Sequence, residues 1–378
     1  MEMNIKDALV NYHRQLFNPE TIIIASPGRV NIIGEHTDYN NGLVLPYALD
    51  KHIYMSASPG TGKTFKVYSA DQKRYVDFAE DQGMPSWTSY YRQVINYIEE
   101  NYGSCPSLDI TMLSDLPIGA GISSSSALTC GIIYLLDHFM QLKLTADEMI
   151  KIATYTEHGI GLQGGAMDQS TILKARKDHA ILMDFGLNTI EYIPLEMGEY
   201  DWWLVYTDVE HSLVDSEYNT RRKECETSVA LISEQYKAIE HLSQLIPSDL
   251  SKIKLDEPLY RRAKFVVEEN QRVREVVELL SNGNIEAIGT ILNASHLGLS
   301  TEYEVSTPEV DWLVSRLQQS EKVAGSRMIG GGFGGSILVL LKSTIDDPIQ
   351  RIVDEYNAEY EKKAFAFNAH SGYALRKV

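Results

Sequence analysis

The alternation of apolar and polar positions divides the chain into short strands and longer helices. Residues 21–25 form a β-branched run, and 52–58 and 65–70 read as the arms of a hairpin around Pro-Gly-Thr-Gly at 59–62. Over 87–102, Tyr90, Val94, Tyr97 and Ile98 recur at the spacing of a helix with one buried face. Residues 108–113 read as a strand, 117–126 as a glycine- and serine-rich loop, and 127–140 as an apolar helix. A further helix is predicted over 145–157, with Thr145 and Glu148 in capping-box spacing. In the second half, 180–184 and 202–207 read as strands, and charged helices follow over 219–242 and 258–280. Tyr260, Ala263, Val267, Val273 and Val277 fall near one face of the latter. Residues 326–335 form a glycine-rich loop before an apolar strand at 336–341. Strands and helices mixed in both halves predict an α+β protein of two domains, residues 1–200 and 201–378.

Composition narrows the function classes. The 378 residues include 44% hydrophobic positions, enough for sizeable cores. Acidic residues outnumber basic ones, 52 to 34, for a net charge of −18. That balance argues against nucleic-acid or anionic-membrane partners, which need clustered Lys and Arg. The N-terminal residues are polar, and the longest apolar run, 127–136, is about half of the ~20 residues a membrane span needs. Three cysteines, Cys105, Cys130 and Cys225, are widely spaced and fit a reduced cytoplasmic setting. The expected state is a monomer or weak oligomer. No zinc-ligand spacing occurs among the histidines.

Three segments carry candidate chemistry. The first, PGRVNIIGEHTDYN at 27–40, gathers a cation, carboxylates, an imidazole and amides, a mixture that suits a polyhydroxylated ligand and that, on composition alone, equally fits a polar solvated turn with an Arg–Glu surface pair. The second, LPIGAGISSSSAL at 116–128, places small residues before an apolar helix, so backbone amides and the helix dipole can cradle phosphate. A serine there can also meet Mg²⁺. The third, MIGGGFGGS at 328–336, is a glycine run that suits close backbone approach. A fourth stretch, ASPGTGKT at 57–64, looks like a relaxed Walker A loop. Strand-like FKVYS follows where a P-loop needs a helix, so it reads as the hairpin turn.

In this order, the three segments resemble the motifs of the GHMP small-molecule kinases, and GRVNIIGEHTDYNNGLVLP at 28–46 is similar to the galactokinase signature. MDQ at 167–169, SEYNTRR at 216–222 and YEVSTPE at 303–309 agree with the same family. The resemblance implies a two-domain α+β fold with the active site in the cleft between domains. It also implies ATP-dependent phosphorylation of the C1 hydroxyl of galactose with Mg²⁺. By position, Asp168 would be the catalytic carboxylate and Arg29 its cationic partner. Glu35, His36, Asp38, Gly165 and Tyr218 would line the sugar site. Gly119, Ala120, Gly121, Ile122, Ser123, Ser124, Ser125 and Ser126 would hold the ATP phosphates, with Ser125 and Glu157 near Mg²⁺. Trp87 and its neighbours to Tyr91 read as a buried aromatic cluster, with a place near the nucleotide as the family alternative. The loop Gln163-Gly164-Gly165-Ala166 departs from the family pattern, so N-acetylgalactosamine and L-arabinose stand as alternative substrates. A non-catalytic sugar sensor is the third reading, disfavoured because Arg29, Asp168 and the serine run are intact.

Overall fold

The computed structural model describes residues 5–80, 83–117, 119–161, 163–209, 214–343 and 348–378; residues 1–4 of the polar N-terminus and Ile118 of the second segment lie outside them. In chain order the first half contains α1 (Ile5–Leu16), β1 (Ile22–Asn31), β2 (Leu43–Val44), β3 (Pro46–Pro59), β4 (Lys66–Ser69), β5 (Arg74–Asp77), α2 (Thr88–Tyr102) and β6 (Leu108–Ser114). Then come α3 (Ser124–Met140), α4 (Ala146–Ile160), α5 (Met167–Lys174), β7 (His179–Asp184) and β8 (Thr189–Pro194). The second half contains β9 (Tyr200–Tyr206), α6 (Val214–Gln235), α7 (Pro247–Leu250), α8 (Leu259–Ser281), α9 (Ile285–Thr301) and α10 (Pro308–Gln318). It ends with β10 (Val323–Ile329), β11 (Ser336–Lys342), α11 (Pro348–Tyr360), β12 (Phe365–Asn368) and β13 (Arg376–Lys377).

A six-stranded sheet in the order β13-β1-β3-β6-β4-β5 is built on the strands of the first half with β13 from the end of the chain at its edge, and a four-stranded sheet, β10-β11-β9-β12, lies in the second half. A small sheet, β2-β7-β8, flanks the first. The apolar character of α3 follows from its place. Ala127, Cys130, Ile132, Ile133, Leu135 and Leu136 are buried, and a Cβ at Gly131 would lie 2.7 Å from Met55 Cε on β3. In the second half, Val205, Val339 and Leu341 of the sheet meet Phe265, Leu313 and Ile352 of the helices in one core. The two halves share further core: Val273 and Val276 of α8 join the cluster containing Ile32 and Leu43. The last strand, β13, returns to pair with β1 at Ile24 and Ala25. Among the described residues no helix is long and apolar enough to cross a membrane.

Several expectations are corrected. Strands β3 and β4 do not form a hairpin. Strand β6 lies between them, antiparallel to β3 and parallel to β4. The turn after β3 is instead pinned to the start of β6, where Gly60 N donates to Ser107 O at 2.8 Å. The glycine-rich loop is shorter than expected, since Ser326 and Arg327 belong to β10, which pairs with β11 through Ile329↔Ser336. Helix α3 begins at Ser124, three residues ahead of the apolar run. Helix α6 ends at Gln235, short of the expected 242. Strand β1 runs on through Pro27, Gly28 and Arg29 to Asn31, absorbing part of the first segment by a register shift between Pro27 and Arg29.

The tightest contact between helix and sheet is that of α9 on β10. A Cβ at Gly289 would lie 2.0 Å from Ala324 O, and one at Gly325 would lie 2.1 Å from Gly289 O. Gly→Ala in an ordinary helix stabilises by up to about 1 kcal/mol. Here Gly289→Ala should instead destabilise by about 1–3 kcal/mol through overpacking. Urea titration measures this, and an unchanged or raised midpoint contradicts the packing described.

Candidate active site

Arg29 occupies the centre of the site because β1 bulges just before it and Gly28 lets the strand pass close to the 116–122 loop. A Cβ at Gly28 would lie 2.6 Å from Leu116 and 2.9 Å from Ile122 O. Its guanidinium forks onto Asp168 at the start of α5, with Nε to Oδ1 at 2.7 Å and Nη2 to Oδ2 at 3.1 Å. The third nitrogen, Nη1, donates to Gly121 O at 2.8 Å. Arg29 is buried, and Asp168 keeps about a quarter of its side chain open, 24%, on the cleft. Burial works against the Arg29 charge, but Asp168, Glu35 and Asp38 together hold its pKa above the ordinary value.

Two further carboxylates stand close by. Glu157, on α4, accepts from Ser126 Oγ and from Gln169 Nε2, each at 2.6 Å. Its burial, reinforced by Asp168, raises its pKa to about 8 against the opposing hydrogen bonds. Asp38 is raised to about 6 by burial and by the charge of Asp168. Gly165 has to be glycine for Asp38 to sit there, because a Cβ would lie 2.2 Å from Asp38 Oδ2.

The loop after β1 is held from the second half. Gly34, at φ +99°, donates its N–H to the buried Glu269 of α8 at 3.0 Å, and Leu43 N donates to Asn270 Oδ1 at 2.7 Å. Glu35 accepts from Asn31 Nδ2 at 3.1 Å, from Arg327 Nη2 at 3.1 Å and from Gly330 N at 2.9 Å. Arg327 is fully buried and also donates to Ile32 O and Asn31 O, so it ties β10 to the end of β1. His36 is buried in a left-handed conformation, φ +62°, with Nδ1 2.8 Å from Tyr39 OH. Burial pulls its pKa down to about 3, Arg221 adding to the effect and the Gly331 backbone opposing it. The ring is therefore neutral at physiological pH. Tyr218 packs on it with ring centroids 5.2 Å apart.

These groups surround a cleft of about 180 Å³, lined by Arg29, Glu35, His36, Asp38, Ser125, Ser126, Glu157, Gly164, Gly165, Met167, Asp168, Gln169, Tyr218, Gly330 and Gly331. All five residues expected at a sugar site are present, from both halves of the chain. A second cavity shares Ser125 with the first and runs beside Ser124, Leu128, Trp87, Tyr90, Asp71 and Gln72. The aromatic cluster at 87–91 thus splits. Tyr91 is buried, while Trp87 and Tyr90 are half-buried and line the second cavity.

The expected phosphate segment divides as well. Ser124, Ser125 and Ser126 face the cavities at the first turn of α3. Gly119, Ala120, Gly121, Ile122 and Ser123 line neither cavity, and the side chains of Ala120 and Ile122 are in the core. Ser123, in a left-handed conformation, gives its hydroxyl to Asp168 Oδ2. Gln163 is not among the residues lining the cleft and donates its side-chain amide to His158 O at 3.4 Å. Arg327, Glu269, Asn270 and Gln169 escaped the sequence reading as site-holding residues. Only Gln169 lay in a quoted motif; Glu269 and Asn270 sit in a polar run of a helix that reads as charged, and Arg327 falls in the expected glycine-rich loop. Among the described residues no cluster of three or more His, Cys, Asp or Glu is placed to hold a metal by itself.

A parallel set of helices and sheets with a cleft of this kind is that of the GHMP kinases. Models of their N-terminal and C-terminal domains match residues 89–176 and 276–362, and the galactokinase galactose-binding signature matches residues 11–59. A mevalonate kinase from Methanococcus jannaschii shares the fold at TM-score 0.65 and 17% identity, covering 93% of this chain and 98% of its own. The chain belongs to the galactokinase family. It is 37% identical to a galactokinase of Thermotoga maritima over 94% of this chain and 99% of that one. It is 33% identical to a galactokinase of Fusobacterium nucleatum over 93% and 94%. A Lactococcus lactis galactokinase, solved in complex with galactose, superposes at TM-score 0.93 with 28% identity, covering 99% of this chain and 100% of its own.

The raised pKa of Glu157 predicts a pH dependence. Between the ordinary value of 4.5 and about 8, the folded protein holds a proton that the unfolded chain has lost. The contribution of this group to stability therefore falls as pH rises through that window. The unfolding free energy of the wild type minus that of Glu157→Gln should decrease from pH 5 to pH 8 in urea titrations. A flat or rising difference contradicts the burial described.

Proposed function

We propose that the chain is an ATP-dependent sugar kinase that transfers the γ-phosphoryl group of ATP to the C1 hydroxyl of D-galactose, giving galactose 1-phosphate and ADP. The observation that carries this reading is the forked Arg29–Asp168 pair on a sugar-sized cleft, one serine away from a second cavity at the N-terminus of α3. Phosphoryl transfer asks a protein for positioning and charge neutralisation. Asp168 accepts the hydrogen bond of the C1 hydroxyl and aims its oxygen at phosphorus. Arg29 and Ser123 hold that carboxylate in place, and the guanidinium faces the charge that develops during transfer. The phosphates lie over the amides and hydroxyls of Ser124 and Ser125, where the helix dipole favours negative charge. The base occupies the cavity beside Trp87 and Tyr90.

The donor set suits Mg²⁺, which takes oxygen ligands and keeps waters and substrate phosphates. Ser125 and Glu157 would hold it, and among the described residues the buried Glu157 carboxylate has no ion-pair partner, its hydrogen bonds coming from Ser126 and Gln169. When bound, the ion neutralises charge on the phosphates. The protein acts in the cytoplasm as a monomer or weak oligomer, with residues 1–200 carrying the sugar and phosphate segments and 201–378 the glycine-rich hairpin.

A second reading keeps the chemistry and changes the sugar. At Gly164, a Cβ would lie 3.7 Å from Tyr218 OH, so the missing side chain leaves room beside the sugar. An ADP-release assay over galactose, glucose, N-acetylgalactosamine and L-arabinose decides between them. Galactose should give the highest kcat/KM, and glucose should be at least roughly a hundredfold worse, because an inverted hydroxyl leaves buried polar groups unpaired. Phosphorus NMR should place the product phosphate on C1. Phosphate on C6, or a better substrate than galactose among the four, contradicts the assignment. Asp168→Asn should lower kcat by on the order of 10² or more while galactose still binds. Near-normal turnover in the folded variant removes Asp168 from the mechanism.

A further inference from the structure

Three backbone carbonyls between α4 and α5 are each bound by a side chain. Gly161 O accepts from Asn219 Nδ2 at 3.2 Å, and Gln163 O accepts from Arg222 Nη1 at 2.6 Å. Gly164 O lies 2.9 Å from His158 Nε2, which has to be the donor because a carbonyl can only accept. His158 belongs to α4, in the same half as the carbonyls it helps to hold. Asn219 and Arg222 reach across from α6 in the second half. Of the three bonds, the one from Arg222 is the shortest and has a fully charged donor, the stronger kind of hydrogen bond.

The residues that follow Gln163 give that bond its consequence. A Cβ at Gly165 would lie 2.2 Å from Asp38 Oδ2, and the Met167 backbone N–H bonds to Asp38. Asp168 comes next. Holding the carbonyl at 163 therefore sets how residues 165 to 168 approach Asp38. The same helix carries the opposing wall. Tyr218 precedes Arg222 by four residues, so the two share one face of α6. Tyr218 packs on His36 and Tyr39, with ring centroids 5.2 and 5.4 Å away. A Cβ at Gly164 would lie 3.7 Å from the Tyr218 hydroxyl. Helix α6 thus meets the aromatic groups of the sugar-binding segment through Tyr218 and the 163–165 backbone through Arg222. The other contact of Arg222 is an Nε bond of 2.9 Å to Glu226, whose side chain is 63% exposed, and an exposed pair of this kind contributes little.

We propose that Arg222 is a positioning residue of the sugar site, a strut whose bond to Gln163 O sets the spacing between the Tyr218 wall from the second half and the Asp38–Gly165–Asp168 wall from the first. The assignment rests on the sugar-kinase reading. Arg222 is not among the residues lining the cleft, so it acts through the backbone that it holds. With Arg222 truncated, His158 and Asn219 still hold the neighbouring carbonyls. The turn then stays folded but loses its tie to α6 at Gln163, and the two walls stand less firmly in register.

Two measurements test it, the first independent of any ligand or activity. In hydrogen exchange on the unliganded protein, peptides covering 163–168 should exchange several times faster in Arg222→Ala than in the wild type, while those of α3 are unchanged. Arg222→Lys returns one donor to the one carbonyl and should fall between them. Equal exchange over 163–168 in Arg222→Ala and wild type overturns the strut. The second is steady-state kinetics. Arg222→Ala should raise KM for galactose about five- to tenfold, the scale of one hydrogen bond, with smaller changes in kcat and in KM for ATP. Arg222→Lys should recover part of the loss, and Glu226→Gln, which removes only the exposed pair, should match the wild type. An unchanged KM for galactose in Arg222→Ala, an equal rise in KM for ATP, or a loss as large in Glu226→Gln overturns the proposal. If the wild type phosphorylates no sugar at all, the sugar-kinase reading fails, while the exchange data still decide whether Arg222 holds the turn.

Discussion

A buried guanidinium has to be paired, and the pairing of Arg29 organises the centre of this protein. Removing one partner of such an ion pair leaves an uncompensated charge, at a cost of about 3–5 kcal/mol. The fork onto Asp168 fixes the first turn of α5, and the third nitrogen fixes the carbonyl of Gly121 in the loop before α3. Ser123 closes the figure from that same loop. One side chain on a bulged strand therefore sets the relative positions of a carboxylate and the helix terminus bearing the serines. Those are the two things that have to be in register for transfer between a sugar and a nucleotide.

The surrounding electrostatics follow from the same crowding. Glu35, Asp38, Glu157 and Asp168 converge on one region, in which Arg29 pairs with Asp168 and Arg327 with Glu35. Glu35 is satisfied by Arg327 and by backbone, so its role is to join the two halves across the cleft as much as to face a ligand. Asp38 and Glu157 are less well compensated, and burial raises both. Such carboxylates gain most from hydroxyl donors or from an added cation, which is what a sugar and a metal–nucleotide provide.

The local chemistry of the site was legible in the sequence because it is written in contiguous runs. Residues 29 to 38 carry four of the polar groups of the cleft, and the serines announce the helix terminus. Asp168 could be placed only through the family motif, since no spacing rule links it to Arg29 across 139 residues. Strand β4 was legible as a strand but not in its pairing, because alternation reveals a face and not a neighbour. Arg327 was hidden for the opposite reason. A charged residue before a glycine run looks like loop, and it takes the carbonyls of Asn31 and Ile32 and the carboxylate of Glu35 across the fold, with Met328 O beside it, to make a fully buried guanidinium tolerable in a strand. Ser123 belongs to the run expected to hold phosphate, and its left-handed backbone turns its hydroxyl to Asp168, a contact that no spacing in the sequence announces.

The central claim is that the Arg29–Asp168 pair faces the C1 hydroxyl of a sugar at the mouth of the nucleotide cavity. The most direct measurement is a crystal structure with galactose and a non-hydrolysable ATP analogue bound together. It should show the C1 oxygen within hydrogen-bond distance of the Asp168 carboxylate, with the γ-phosphate beyond it over the start of α3. A different hydroxyl at Asp168, or a sugar bound outside the cleft formed by His36, Asp38 and Tyr218, would contradict the account.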